Sequence, residues 1–211
     1  DSEKDLRVLA SSKADFHINP RWAFGWDAMV QSDNNFARTY DIQGLNQTVH
    51  TNQAYLTGIG KRNYFDVRGY YFDVQDADTK NTAETQQAIA APVIDYHYVA
   101  PEAVAGGELS ANVNFTNISR TDADINAALS KNGYRGLSGV NARLTSEVEW
   151  KRTYATPQGL LFTPILAARG DLHGLDVNAP VGYTGSFEND GFATRYMLTA
   201  GLEARYPLLQ G

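Results

Sequence analysis

The residues of this chain whose types could support catalysis or metal binding lie far apart. The histidines are His17, His50, His97 and His173, and none of them forms the His-x-x-x-His spacing that lets two imidazoles hold one zinc ion. The chain has no cysteine, which excludes disulfide frameworks, thiolate zinc sites and thiol nucleophiles. We therefore expect no metal ion and no cofactor.

Three short runs resemble catalytic or binding motifs without completing them. Gly-Leu-Ser-Gly at 136–139 lacks the correctly placed second glycine of a nucleophile elbow. Gly-Ile-Gly at 58–60 has no third glycine and no following helix, so we predict a turn rather than a dinucleotide-binding loop. Asp-Ala-Asp-Ile-Asn at 122–126 begins like a calcium loop, but Ala127 replaces the required glycine and Gly133 the bidentate glutamate. The chain is therefore not predicted to be an enzyme, and no catalytic residue is expected.

Charge and composition exclude further classes of protein. The chain has 211 residues, with 24 acidic against 18 basic side chains and a net charge of −6. No cluster of Lys and Arg appears, so a nucleic-acid partner is not expected. No apolar run approaches the roughly 20 residues of a membrane-spanning helix. The length is typical of a single domain.

The elements that must position the polar residues are strands, because apolar and polar residues alternate strictly over long windows. In 140–151, for example, Leu144 and Trp150 fall on one parity, and Arg143 and Glu147 fall on the other. Successive side chains of a strand point to opposite faces, so each window has one apolar and one polar face. We predict an all-β, antiparallel up-and-down meander of about nine long strands. They cover 5–16, 21–30, 53–59, 64–74, 92–99, 108–116, 140–151, 159–171 and 195–206. Pro164 in mid-strand predicts a bulge or distortion there.

Short and long connections alternate between these strands. The short ones cover 17–20, 60–63, 100–106 and 153–158, and the long ones 32–52, 75–91, 119–137 and 172–192. This alternation is typical of outer-membrane β-barrels, which have short periplasmic turns and long extracellular loops. Several windows reach the roughly nine to eleven residues of a strand that crosses a bilayer. Aromatic residues stand near strand ends, where interfacial girdles fall, at Trp22, Tyr64, Tyr98, Trp150 and Tyr206. A soluble β-barrel or sandwich, with the apolar face lining a shared core, is the alternative.

The polar face carries the candidate site residues. In a barrel they would face the lumen, where they hydrate and cross-link the wall or contact a ligand. The mixture of signs suits ion pairs between neighbouring strands. The candidates are Glu108, Asn112, Asn114, Arg143, Glu147, Glu149, Lys151, Arg195, Glu203 and Arg205.

The strand count also predicts a piece of a larger protein. Bacterial single-chain barrels have an even number of strands, so about nine cannot close one. The chain opens Asp-Ser-Glu-Lys-Asp, which is not a signal peptide. We expect residues 1–211 to be one partial transmembrane β-barrel domain, a fragment of a longer chain.

Several distinctive runs follow one another over roughly the first 120 residues. They are Asn-Pro-Arg-Trp at 19–22, Gly-Trp-Asp at 25–27, Ser-Asp-Asn-Asn-Phe at 32–36, Tyr-Leu-Thr-Gly at 55–58, Arg-Asn-Tyr-Phe at 62–65, Gly-Tyr-Tyr-Phe at 69–72, Ala-Pro-Val-Ile-Asp-Tyr at 91–96, and Gly-Gly-Glu-Leu-Ser at 106–110 followed by Asn-Phe at 114–115 and Arg120. In this order they resemble the barrel of the LPS-assembly protein family LptD, the organic solvent tolerance proteins, and most resemble its alphaproteobacterial members.

The resemblance implies a location and a function. It implies a large barrel in the Gram-negative cell outer membrane, part of a translocon that transports lipopolysaccharide and inserts it into the outer leaflet. The implied partners are lipopolysaccharide, outer-membrane lipids, the plug lipoprotein LptE and the periplasmic bridge components. Residues of the family's lateral seam are not matched in this stretch. Two alternatives remain: a nutrient porin or plugged receptor barrel, and a soluble carbohydrate-binding β-sandwich.

Overall fold

The computed structural model describes residues 7–75, 82–125, 134–179 and 189–207. Almost all of the regular structure in these ranges is β. The strands are β1 (Leu9–Asn19), β2 (Trp22–Gln31), β3 (Val49–Ile59), β4 (Asn63–Val74), β5 (Ile89–Val99), β6 (Glu108–Arg120), β7 (Asp124–Ile125), β8 (Tyr134–Gly136), β9 (Gly139–Lys151), β10 (Tyr154–Ala155), β11 (Leu161–Val177) and β12 (Asp190–Arg205), and the short helices are α1 (Phe36–Thr39) and α2 (Thr82–Thr85). Neither helix in the described ranges is long and apolar enough to cross a membrane.

The long strands form one antiparallel sheet in the order in which they occur along the chain. The order is β1-β2-β3-β4-β5-β6-β9-β11, and β12 pairs with β11 along its whole length. The short β10 pairs with one end of β11, and β7 and β8 form a separate small hairpin. The predicted meander of about nine long strands is therefore confirmed.

Two strands are longer than the alternation predicts. β11 continues to Val177 and β12 begins at Asp190, whereas the windows 159–171 and 195–206 predict a connection over 172–192. Gly170 and Gly174 stand on the apolar face of β11, where they provide no apolar signal, yet their backbones pair with β9 and β12. The β11–β12 hairpin therefore extends further toward its connection than predicted.

Pro164 interrupts the pairing on one side of β11 only. The β11–β12 register passes Pro164 opposite Leu202 without a shift. On the other side, β11 pairs with β10 up to Phe162 and with β9 from Ile165, so the ladder has a gap at Thr163 and Pro164, where the proline N–H is missing. The register also shifts near Pro92, on both sides of β5. That residue lies inside β5 rather than at its start.

The register places the alternating residues on two distinct faces of the sheet. Phe115, Leu144 and Leu172 are direct cross-strand partners on the apolar face. Asn114, Thr145 and Asp171 are direct partners on the polar face. The two faces continue across the long strands. Within β5 the register shift between Ala90 and Val93 changes the parity, so that Ala90 pairs with Tyr70 and Ile118 on the polar face.

Long connections leave one end of the strands and short connections leave the other. The short ones cover 20–21, 60–62, 100–107 and 152–160, of which the last contains β10. The long ones cover 32–48, 75–88, 121–138 and 178–189 and lie partly outside the described residues. Asn19 shows how tight the first short turn is, since its Oδ1 accepts hydrogen bonds from the N–H groups of Arg21 and Trp22, at 2.8 and 3.0 Å.

Little of the sheet is buried. Among the described residues, the buried apolar side chains are Met29, Ala37 and Val177. Ala37 belongs to α1, in the connection from β2 to β3, where Arg38 Nη1 donates to the carbonyl of Gln75 at 2.9 Å and Gln75 Nε2 donates to the carbonyl of Leu45 at 2.5 Å. The described residues thus form a single layer whose apolar face has no covering element.

Candidate functional site

The predicted site residues all lie on the polar face of the sheet. Glu108 pairs with Lys151 and Asn112 with Glu147 across the β6–β9 boundary. The remaining candidates keep the same parity along β6, β9 and β12. They lie at different heights along the strands. Arg143 and Arg195 contact a central carboxylate, and Asn114 lies in the same row. Asn112 and Glu147 form the next cross-strand pair on this face toward the short connections. The candidates nearest the short connections are Glu108, Glu149, Lys151, Glu203 and Arg205.

The central carboxylate is Asp171 of β11. Its Oδ1 accepts hydrogen bonds from Thr145 Oγ1 at 2.7 Å, Arg143 Nη2 at 2.9 Å and Arg169 Nη2 at 3.3 Å. Its Oδ2 accepts two from Arg195, from Nη2 at 3.1 Å and Nε at 3.2 Å. Side chains from β9, β11 and β12 therefore converge on one acidic group.

Burial differs sharply between this carboxylate and the arginines around it. The side chain of Asp171 is only 9% exposed, whereas those of Arg143, Arg169 and Arg195 are 48%, 32% and 72% exposed. The carboxylate is thus enclosed by the guanidinium groups, which themselves remain accessible. We call these four residues the Asp171 cluster.

The Asp171 cluster borders an open groove of about 600 Å³. Polar side chains form most of the wall, including Asn114, Thr116, Asn141 and His173 beside the cluster itself. A second groove of about 460 Å³ continues along the polar face past Asn114 to Arg169, Glu147 and His97. The polar face therefore offers open space of a size that a ligand group could occupy.

Charge in the Asp171 cluster is not balanced. Three guanidinium groups share one carboxylate. Glu147 stands opposite Arg169 in the register, but no ion pair within 4 Å joins these two side chains. Arg169 Nε is buried without a hydrogen-bond partner among the described residues. The cluster therefore has cationic donors in excess of the acceptors around them.

The other ion pairs on the described polar face have no excess of Arg or Lys over carboxylates. Lys151 Nζ lies 3.1 Å from Glu108 Oε1 on the neighbouring strand and 3.5 Å from Glu149 Oε1. Arg205 pairs with Glu203 on its own strand. The expected neighbouring-strand ion pair is thus found for Lys151 with Glu108, whereas the Arg205 pair lies within one strand.

The polar network continues toward β1. Asp66 accepts from Arg68 Nε at 2.6 Å and from Thr57 Oγ1 at 2.7 Å. Asn114 Nδ2 donates to Asp95 Oδ1 at 2.7 Å. These bonds tie successive strands together at the same height as Asp171, so the polar face is cross-linked along the row.

Sequence reasoning missed Asp171 and Arg169, the two members of the Asp171 cluster that lie on β11. Both fall in the window with the least regular alternation, next to the small residues Gly170 and Gly174. Their shared parity, as Arg-Gly-Asp at 169–171, was the available signal. It indicates a common face but does not reveal the arginines of β9 and β12.

The histidines and the motif-like runs have structural partners. His97 Nδ1 lies 2.6 Å from Asn112 Oδ1, and His173 Nε2 lies 2.7 Å from Asn141 Oδ1. Gly58 lies within β3 rather than in the predicted turn. The calcium-like run is only partly visible, since 126–133 lies outside the described residues. In the described ranges, no group of three or more potential ligands is arranged to hold a metal ion.

Comparison with known proteins gives one finding. A family model described as "LptD: LPS transport system D" matches residues 5–210. No curated protein matches the chain. The family match extends through the strands that lack distinctive sequence runs, beyond the roughly 120 residues on which the sequence resemblance rests.

Proposed function

Because the chain belongs to the LptD family of the LPS transport system, we propose that it forms part of the outer-membrane translocon that inserts lipopolysaccharide into the outer leaflet. Membership of this family implies a role in the transport and assembly of lipopolysaccharide in the outer membrane. We propose in addition the insertion step and a part for this chain in that step.

The observation that carries the proposal is the division of one sheet into two continuous faces. Large apolar side chains remain exposed along one face, with Leu166 55%, Leu198 79% and Tyr196 86% exposed. A soluble sandwich would cover such a face with a second large sheet, and beside the main sheet the described residues contain only the two-stranded β7–β8 hairpin. Lipid would solvate this face in a barrel, while the polar face would line the lumen.

Aromatic residues support a membrane boundary at the end with the short connections. Trp22, Tyr98 and Trp150 share the apolar face near that end of β2, β5 and β9. Tyr206 directly follows β12 at the same end of the sheet. Tyr64, which was expected in the same girdle, pairs with His97 on the polar face and does not belong to it. The girdle is thus one residue smaller than predicted.

The same proposal extends to location, domain and partners. Residues 1–211 would be a partial transmembrane barrel domain in the Gram-negative outer membrane. The ten candidate residues of the polar face would line its lumen. LptE and the periplasmic bridge components would be partners of the complete protein.

Depletion of the full-length parent in its native cell tests the proposal. If the protein inserts lipopolysaccharide, newly made lipopolysaccharide should disappear from the cell surface, as measured by a surface-restricted label, while its synthesis continues. Uptake of small nutrients is measured in parallel. Loss of nutrient uptake with normal surface lipopolysaccharide would instead indicate a nutrient porin.

A further inference from the structure

The Asp171 cluster has more cationic side chains per carboxylate than the other ion pairs found on the described polar face. Elsewhere a carboxylate meets a single arginine or lysine, as Asp66 meets Arg68 and Glu108 meets Lys151. Around Asp171, three guanidinium groups meet one carboxylate. Cross-linking of the wall alone would need only one arginine per carboxylate, so the two additional cations require another explanation.

Unused hydrogen-bond donors accompany this excess charge. A guanidinium has five N–H donors, yet Arg143 and Arg169 each give Asp171 a single nitrogen. Arg195 gives two, and the buried Arg169 Nε has no partner among the described residues. Donors of this kind match the oxygen atoms of phosphate and carboxylate groups, because the planar fork can make two parallel bonds.

Space for such a group lies beside two of the three arginines, Arg143 and Arg195, whereas Arg169 lines the neighbouring groove. The groove of about 600 Å³ is bounded by Arg143 and Arg195 and by the amides of Asn114 and Asn141. Ligand sites typically occupy roughly 300–1,000 Å³. Asp171 holds the guanidinium groups in place before any ligand arrives, which reduces the entropy lost on binding.

We propose that the groove at the Asp171 cluster binds an oxyanion group, a phosphate or a carboxylate, of the glycolipid that the protein transports. The inference rests on the proposed function and adds a location for substrate contact. Arg143 and Arg195, the most exposed of the three cations, bind the anion. Asp171 is a positioning residue, which prevents the arginines from spreading apart by mutual repulsion.

Photocrosslinking in the full-length parent tests the site. A photoreactive amino acid replaces Ala193, which lines the groove opposite His173 in the register. The purified parent in detergent is mixed with purified lipopolysaccharide, illuminated, and the covalent adduct is quantified on an immunoblot. We expect an adduct whose yield falls about tenfold in the Arg143→Gln/Arg195→Gln variant, since a charged hydrogen bond contributes about that factor or more.

The matched control is Arg205→Gln. Arg205 lies on the same strand and face as Arg195 but pairs with Glu203 near the short connections. Its replacement should leave the adduct unchanged. Equal yields from the parent and from the double variant would overturn the site while leaving the transport function standing. No adduct at Ala193 or at any other lumen position of the parent would overturn both.

A second measurement does not depend on the variants folding. Inorganic pyrophosphate added to the parent should compete with lipopolysaccharide and reduce the adduct. Persistence of the adduct at saturating pyrophosphate would overturn the proposal. Dephosphorylated lipopolysaccharide then separates the two sources: a lost adduct assigns the contact to phosphate, and a retained, pyrophosphate-sensitive adduct assigns it to a carboxylate.

Discussion

The indole ring of Trp22 lies against the backbone of Gly58 on the neighbouring strand, so close that a Cβ atom there would stand 2.7 Å from the ring. The two residues are direct register partners on the apolar face of β2 and β3. Phe65 of β4 is the register partner of Gly58 on its other side, and its ring centroid lies 6.0 Å from that of Trp22. The absence of a side chain at Gly58 is therefore what allows Trp22 to lie flat at the boundary with the short connections.

This packing makes Gly58→Ala a test of the girdle. The methyl group would displace the indole, and overpacking of this kind typically costs about 1–3 kcal/mol. Unfolding by urea in detergent, followed by heat-modifiable gel mobility of the full-length parent, measures the loss. Gly170→Ala is the matched control, because nothing lies within 4 Å of a Cβ atom at Gly170. Equal stabilities for the two variants would contradict the packing described here.

Asp171→Asn should destabilise the barrel, because the amide keeps one acceptor oxygen but removes the negative charge and turns an NH2 donor toward the arginines. Hydrogen bonds to charged groups contribute about 1.5–3 kcal/mol each, but exposure of Arg143 and Arg195 reduces their share. We expect a clearly lower urea midpoint than that of the parent in the same titration. Glu203→Gln removes the acceptor of an exposed pair and should change stability by less than about 1 kcal/mol. A larger effect from Glu203→Gln would mean that the Asp171 cluster does not organise the wall.

Adjacent arginine substitutions in β6 test the assignment of the two faces. Ala111 is opposite Val148 on the apolar face, and Asn112 is opposite Glu147 on the polar face. Ala111→Arg should reduce the folded barrel in the membrane, because a lipid-facing arginine costs up to about 2–4 kcal/mol at the midplane. Asn112→Arg can stay hydrated and gain Glu147 as a partner. The two variants are compared by the amount of heat-modifiable protein in isolated membranes. A greater loss of folded protein in Asn112→Arg would mean that Asn112, not Ala111, faces the lipid.

Arg38→Met should loosen the long connection between β2 and β3. Arg38 bonds the carbonyl of Gln75 at 2.9 Å, and the fully buried Gln75 side chain bonds the same connection through Leu45. Loss of the first bond should expose 32–48 to cleavage. Protease added to intact cells, with the fragments identified by mass, should cut the variant several-fold faster than the parent. Lys61→Met, in a short connection, should leave the cleavage rate unchanged.

The alternation of side chains predicts the strands closely wherever it is regular. β9 was predicted as 140–151 and spans Gly139–Lys151, because within that window its apolar face contains no glycine and is interrupted only by Ser146. β11 was predicted six residues too short at its far end, because Gly170 and Gly174 provide no apolar signal on that face. The parity of each residue in β11 still indicates its face correctly, although the end of the strand was predicted wrongly.

The Asp171 cluster could not be predicted from the sequence, for a different reason. Arg143 and Arg195 are separated from Asp171 by 28 and 24 residues, and only the register of three strands brings them together. Alternation shows which residues share a face, but it does not show which residue of the next strand stands opposite. Cross-strand register depends on turn geometry and on long-range pairing, which no single window contains.

The order of the strands in the sheet also determines how the chain can assemble. Each long strand pairs with the long strand before it and the long strand after it along the chain. The connection between β1 and β2 covers only 20–21. Closing such a short loop costs little chain entropy, so the hairpins β1–β2 and β3–β4 can form early. Longer connections add only about 0.6 kcal/mol of closure cost per doubling of their length. Growth of the sheet by successive addition of hairpins therefore requires no distant segments to meet, and each added hairpin covers the open edge that the previous one leaves.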